Sequence, residues 1–255
     1  MAGVRFDEST VEQAAKEWLA EIGFHTGYAP VDAALEDVRD SLSECILWNH
    51  VTDALARLNP GADPDLIRSA VARIQRAESQ DVMTENQRLY ELMVRGVPVE
   101  TTGDDGRPST VRLRLVDFDT PENNDWRALN QFTIVEAGHN RRPDMLIFLN
   151  GLPVGLLELK NLADKNASLR SAWNQIQTYR SEIPSVFVPN VVTVISDGTS
   201  AAISSFTGGF EHYAPWKTID GRDAITNRPA LEVLLKGVFA PERFLDILRN
   251  FVVYS

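Results

Sequence analysis

Asp144, Glu158 and Lys160 are the residues of this chain whose types and spacing best suit chemistry. They bracket the segment RPDMLIFLNGLPVGLLELK, residues 142–160. It reads as a Pro-Asp step, an apolar run, Asn-Gly, a second apolar run and Glu-Leu-Lys. Two carboxylates and an ammonium are thereby delivered to one end of a hairpin. Gathering such charges in a fold core is costly unless something compensates them. A divalent metal with a phosphodiester would do so. Hard oxygen ligands suit magnesium, which keeps waters and contacts phosphate. Asp144 and Glu158 are the expected ligands, with the Leu159 carbonyl as a third. A bound metal lowers the pKa of its water and offsets charge on phosphate. Lys160 is then placed to orient the attacking hydroxide or to offset charge in the transition state.

The hairpin must put these groups together. Met145 to Leu149 and Val154 to Leu157 are short apolar runs bounded by turn residues, as buried strands are. Asn150-Gly151 is a strong turn signal, since both residues tolerate positive φ. A plain two-residue loop there pairs Leu149 with Leu152 and Asp144 with Leu157, which points Asp144 away from Glu158. A three-residue loop pairs Asp144 with Leu156 and puts Asp144, Glu158 and Lys160 on one face. The chemistry therefore requires an odd-length loop or a bulge, with Gly155 a candidate place for it. A half-buried hairpin with charged ends has no such requirement.

Downstream, SLRSAWNQIQTYRS (168–181) reads as a helix ended by Ile183-Pro184. Gln175 and Tyr179 lie four apart on one face of it. The bland alternative is a Tyr packed on the sheet and a Gln at its polar edge. Other candidates are weaker. Glu12 on a first helix and Glu85 on a later one are possible additional acids, though each reads more readily as surface. His139 reads as solvent-facing, and Trp173 and Trp216 as core or interface residues rather than base-stacking platforms.

Along the chain, the spacing predicts helices over Val11–Gly23, within Val31–Leu58, and over Asp65–Glu78 and Glu85–Val94. Strands are expected at 97–102, 109–118 and 128–136, then the hairpin, the helix at 168–181, and strands at 190–195 and 201–206. Residues 207–229 read as surface chain before helices at 231–236 and 241–250. The order is helix, three strands, helix, strand. It predicts an α/β fold with a mixed sheet, a helix on each face and an added amino-terminal helical layer.

Asp, then Glu-x-Lys, then Gln-x-x-x-Tyr on the next helix resembles the PD-(D/E)xK nuclease superfamily in its RecB-like branch. The likeness is closer still to the amino-terminal endonuclease domain of the R subunit of type I restriction enzymes. VDFDTPENNDW (116–126), NQFTI (130–134), the hairpin through Asn161, SDGTSA (196–201), WKTIDG (216–221) and GVFAPERFLDILRNFVVY (237–254) resemble segments of that family, in its order. FDESTVEQAAKEWLAEIGF and ENQRLYELMVRGV are also similar. The resemblance implies a restriction-endonuclease-like αβββαβ core at 83–214. A helical segment at 1–82 would pack on it, and a connector at 215–255 would lead toward a helicase motor. It implies magnesium-dependent cleavage of double-stranded DNA, with manganese as a possible substitute, in the manner of a type I site-specific deoxyribonuclease. Asp144 and Glu158 would be metal ligands, Lys160 catalytic, and Gln175 and Tyr179 supporting. Implied partners are DNA, the motor of the same polypeptide, and methyltransferase (M) and specificity (S) subunits. The sequence holds no G-x-x-x-x-G-K-[ST] phosphate loop, so ATP would be used only by a motor outside this chain, and the chain is expected to be an excised domain. A docking module in the restriction complex and a stand-alone RecB-like repair nuclease are the alternatives.

Composition sets bounds. A chain of 255 residues can bury a sizeable core. No apolar run approaches the ~20 residues of a membrane span, no signal peptide is evident, and Cys45 is the single cysteine. A bacterial or archaeal cytoplasm is the expected compartment. The net charge of −11 argues against nucleic-acid binding if taken whole. Its distribution changes that inference. Met1 to Glu85 carries sixteen acidic and seven basic residues, whereas 139–180 carries six basic and three acidic ones. The acidic segment reads as a solvated helical surface, with a docking face as the sharper alternative.

Overall fold

The computed structural model describes residues 8–32, 39–103, 106–160 and 168–254. Asp164 and Lys165, part of the locally basic stretch, lie outside them. The amino-terminal part holds α1 (Glu8–Glu21), β1 (His25–Tyr28), the single turn α2 (Ala29–Asp32), α3 (Trp48–Leu58), α4 (Pro64–Gln75) and α5 (Val82–Arg95). Next come β2 (Val97–Thr102), β3 (Pro108–Leu113), β4 (Trp126–Asn130), β5 (Ile134–Glu136), β6 (His139–Arg141), β7 (Met145–Leu149) and β8 (Leu152–Leu159). The remainder is α6 (Leu169–Glu182), β9 (Val192–Ser196), β10 (Ala201–Ser204), α7 (Ala230–Val238) and α8 (Pro241–Asn250). The central sheet is mixed, in the order β1-β4-β7-β8-β9-β10, with β2-β3 and β5-β6 as separate ribbons.

Three local departures from the sequence expectations have physical causes. The amino-terminal segment is not wholly helical: HTGY at β1 adds a parallel edge strand beside β4. Four residues with a central glycine carry too little β pattern to read as a strand. The expected strand at 128–136 is broken after Asn130, because Gln131 adopts a left-handed backbone, φ 59°. The strand expected at 109–118 stops at Leu113, and the chain then forms a polar loop around Asp117.

Two apolar layers sandwich the sheet. Met145, Ile147 and Leu149 of β7 face a layer with α1, α3, α7 and α8, while Leu146 and Phe148 face Ala172, Ile176 and Tyr179 of α6. That alternation is the ordinary two-residue period of a strand. On β8 the period slips. Leu152 and Val154 face the α1 side, but beyond them it is Leu157 and Leu159 that do so, and Leu156 faces α6. The ladder shows the cause: Phe148 pairs with Pro153 and Ile147 with Gly155, so Val154 is one residue too many. The loop itself has two residues, Leu149 pairing with Leu152. The register is thus set by a two-residue turn plus a bulge against Gly155, not by a three-residue loop. Gly155 fits closely there: a Cβ would stand 3.1 Å from the Ile147 Cβ and 3.2 Å from the Phe239 ring, so a side chain would push these neighbours aside.

The turn is also not a solvent feature. Asn150 and Gly151 have φ of 50° and 83°, as a type I′ turn requires, and Asn150 is fully buried. Its side-chain oxygen accepts from the Asp125 backbone N–H (2.8 Å) and Arg57 (3.0 Å), and its amide donates to the Leu115 carbonyl (2.9 Å) and Asn124 (2.8 Å). Asn124 in turn holds Asp117, whose carboxylate accepts from the Asp119 and Thr120 N–H groups and from Asn123. The VDFDTPENNDW segment is therefore a polar pillar under the hairpin turn. Asn150→Ala strands several buried donors and acceptors and leaves an alanine at positive φ. It should lower stability by about 3 kcal/mol, read as a reduced urea midpoint with unchanged slope.

Candidate active site

Adding one residue at Val154 reverses the facing of everything after it on β8. Continuing the ladder from the Met145–Leu157 pair sets Asp144 opposite Glu158, both on the α6 side of the sheet. The Asp144 Oδ2 accepts the Leu159 backbone N–H at 2.7 Å, and its carbonyl accepts the Gln131 N–H at 3.0 Å. Glu158 is almost wholly buried, at 2% exposure. Its Oε1 lies 2.5 Å from the Lys160 Nζ and its Oε2 accepts the Tyr179 hydroxyl at 3.0 Å. The Lys160 backbone is fixed to β9 through Ser196 (2.8 Å), and its side chain remains partly exposed.

Helix α6 presents the supporting pair because Ser168 starts it with a reciprocal capping box to Ser171. Ala172, Ile176 and Tyr179 dock on the sheet. Tyr179 is buried, and Gln175, one turn earlier on the same face of α6, is half-buried. Through its hydroxyl Tyr179 ties α6 to Glu158. Burial and the charges of Glu158 and Asp144 push the Tyr179 pKa far above its ordinary value, so it stays a donor.

The structure also separates the two helical acids, and neither is a surface group. Glu12 is 5% exposed at the start of α1, where its carboxylate accepts from Asn130 Nδ2 (2.8 Å) and Gln131 Nε2 (2.6 Å). Its charge acts on Asp144. Glu85 is equally buried but is held by Arg88 (2.8 Å) and the Glu78 and Ser79 N–H groups. It is a structural anchor for the α4–α5 connection. His139 lies beside Glu182 (3.6 Å), which also pairs with Arg141, and Trp173 packs against Phe210 beneath Arg170. Asn130 and Gln131 were not singled out from the sequence as site residues. Their signals in the sequence were an Asn-Gln step ending an apolar strand and their place in the NQFTI segment, neither of which names a role.

The electrostatics bear on what this place could hold. Asp144 is pushed well above the carboxylate range by its burial first, then by the charge of Glu158, with Glu12 adding to it. The Leu159 N–H and Lys160 only partly offset this. Ionising Asp144, Glu158 and Glu12 together would leave an anionic excess against one lysine, which a divalent cation would compensate. Among the described residues no group of three or more His, Cys, Asp or Glu side chains stands at spacing for a metal. Two carboxylates with hard oxygens nonetheless fit magnesium, which takes one or two carboxylates and fills its octahedron with water and phosphate.

Among the described residues no helix is long and apolar enough to cross a membrane. Residues 5–212 match the family described as type I restriction enzyme R protein N terminus. The chain is 34% identical to the type I restriction enzyme HindI endonuclease subunit of Haemophilus influenzae, over 98% of its own length and 24% of the relative's. It is 24% identical to the putative type I restriction enzyme MjaIXP endonuclease subunit of Methanocaldococcus jannaschii, over 98% of its length and 26% of that protein's. It thus spans about a quarter of the length of these relatives. With a mixed sheet flanked by helices and a family match over most of its length, the chain belongs to the type I restriction enzyme R protein N-terminal family.

Proposed function

We infer that this domain is a magnesium-dependent endonuclease acting on double-stranded DNA within a type I restriction enzyme. The observation that carries the reading is the bulge at Val154, which turns Glu158 and Lys160 onto the face that holds Asp144. A hairpin serving only as structure has no need to face a half-buried carboxylate against a buried one, since withdrawing each from water is penalised. That cost also favours the nuclease reading over a docking module.

Asp144 and Glu158 would hold the metal, with the Leu159 carbonyl completing the protein ligands and Glu12 adding charge from α1. Bound there, magnesium supplies Lewis-acid stabilisation of the phosphate and a water of lowered pKa; manganese is expected to substitute. The chain's own residues do the rest. Tyr179 orients one Glu158 oxygen, and Gln175, half-buried on the same face of α6, would support it. The ammonium of Lys160, partly exposed, can turn its protons toward a phosphate oxygen where charge grows. DNA would be delivered by an ATP-driven motor elsewhere on the R polypeptide. The M and S subunits would complete the complex, in a bacterial or archaeal cytoplasm.

The test is cleavage of supercoiled plasmid carrying a recognition site by the assembled enzyme. Linearisation is expected with magnesium or manganese and ATP, to disappear with a chelator, and to return when the metal is restored. Cutting that persists in the chelator would overturn the metal-dependent reading.

A further inference from the structure

Gln131 stands between the two acids that approach the site from different elements. Its backbone N–H donates to the Asp144 carbonyl (3.0 Å) and its side-chain amide donates to Glu12 Oε1 (2.6 Å). It does so from a left-handed backbone, φ 59°, which costs a non-glycine residue about 1–2 kcal/mol. The neighbouring Asn130 is 8% exposed and donates to the other Glu12 oxygen, 2.8 Å. It pairs in the ladder with Met145, next to Asp144. Both Glu12 oxygens are therefore held by consecutive side-chain amides, at the point where β4 stops and the chain turns beneath Asp144. The left-handed turn is what lets consecutive residues reach one carboxylate: along a regular strand they would point to opposite faces.

We propose that Asn130 and Gln131 form a two-amide clamp that positions Glu12 against Asp144, with Gln131 as the residue that couples α1 to the cation site. The clamp rests on the metal-dependent reading above. Amide donors suit this task because they fix the carboxylate without neutralising it. A lysine or arginine there would pair with Glu12 and remove its charge from the site. Partners that orient groups around a metal typically contribute 10–100-fold to its affinity.

The test measures Mn2+ affinity of the chain by electron paramagnetic resonance, with thermal unfolding of the same metal-free samples. Gln131→Gly removes the amide and relieves the left-handed backbone. Gln131→Asn keeps a residue that tolerates that backbone but shortens its reach by one methylene. Both should leave the melting temperature within a few degrees of the parent and weaken Mn2+ binding roughly 10–100-fold. Glu12→Gln should weaken it similarly, and adding Gln131→Gly to Glu12→Gln should cost little more, since the two act as one unit. Parental affinity in Gln131→Gly, or losses that simply add in the double variant, overturns the clamp alone. Absence of Mn2+ binding by the unaltered chain overturns the metal reading and the clamp together.

Discussion

Asp144→Asn should abolish DNA cleavage by the assembled enzyme while making the metal-free domain more stable. The two effects have one cause. Asp144 is half-buried opposite Glu158, and its ionised form is disfavoured by desolvation and by the charges of Glu158 and Glu12. The amide keeps the shape, and its oxygen can still accept the Leu159 N–H that Asp144 accepts at 2.7 Å. It removes a carboxyl group that the metal-free fold must hold either as an unfavourable charge or by taking up a proton. The relief should be on the order of 1 kcal/mol, since one pKa unit corresponds to about that much. It should appear as a melting temperature raised by a few degrees without added metal. With metal the sign reverses. The parent gains stability from a ligand that binds only the native state, and the variant, lacking a charged ligand, gains less. Cleavage should fall by at least about 10³-fold, comparable to deleting a principal transition-state stabiliser. A variant that cuts at the parental rate would remove Asp144 from the chemistry.

Lys160→Ala should separate cutting from folding and from motor function. The ammonium lies 2.5 Å from Glu158 Oε1 and is partly exposed, so the unaltered domain uses it as the counter-ion of a buried acid. Its loss leaves Glu158 with the Tyr179 hydroxyl and less compensation. A modest loss of metal-free stability follows, partly restored by magnesium. On the proposed mechanism the larger loss comes in the reaction, where negative charge would grow on phosphate within reach of that ammonium. Removing a preorganised donor of this kind costs about 3–4 kcal/mol, or roughly 10²–10³ in rate. The assembled variant should hydrolyse ATP and translocate normally, because this chain carries no phosphate loop. Plasmid linearisation and ATP turnover measured side by side decide the matter. Parental cutting would exclude Lys160 from the mechanism, and lost ATP turnover would assign it a coupling role.

The sequence displayed the candidate site residues more openly than the geometry that assembles them. Asp144, Glu158, Lys160, Gln175 and Tyr179 sit in local patterns, and helical period alone places Gln175 and Tyr179 on one face. The need for an odd count between Asp144 and Glu158 was also legible, since a two-residue period leaves no other way to bring them together. The device that meets it was less so. Val154 is an ordinary strand residue, and the bulge follows from Gly155 fitting against Ile147 and Phe239, which are contacts made across the fold. Asn150 shows the same limit. Asn-Gly announces a turn, but nothing local says that Arg57, Leu115, Asn124 and Asp125 converge on its side chain. Glu12 and Glu85 have similar helical settings in sequence and opposite fates in structure. One meets amides beside Asp144 and the other meets Arg88, and long-range packing decides between them. β1 escaped notice because HTGY lacks an apolar alternation; its place beside β4 is set by tertiary pairing.

Asp144 and Glu158 are proposed to form one cation site. Anomalous diffraction from crystals soaked in Mn2+ tests it most directly. A single strong peak is expected between the two carboxylates on the α6 face of the hairpin, within about 2–2.5 Å of an oxygen from each, and absent from Asp144→Asn crystals. A peak elsewhere, or none at Mn2+ concentrations that support cleavage, would contradict it.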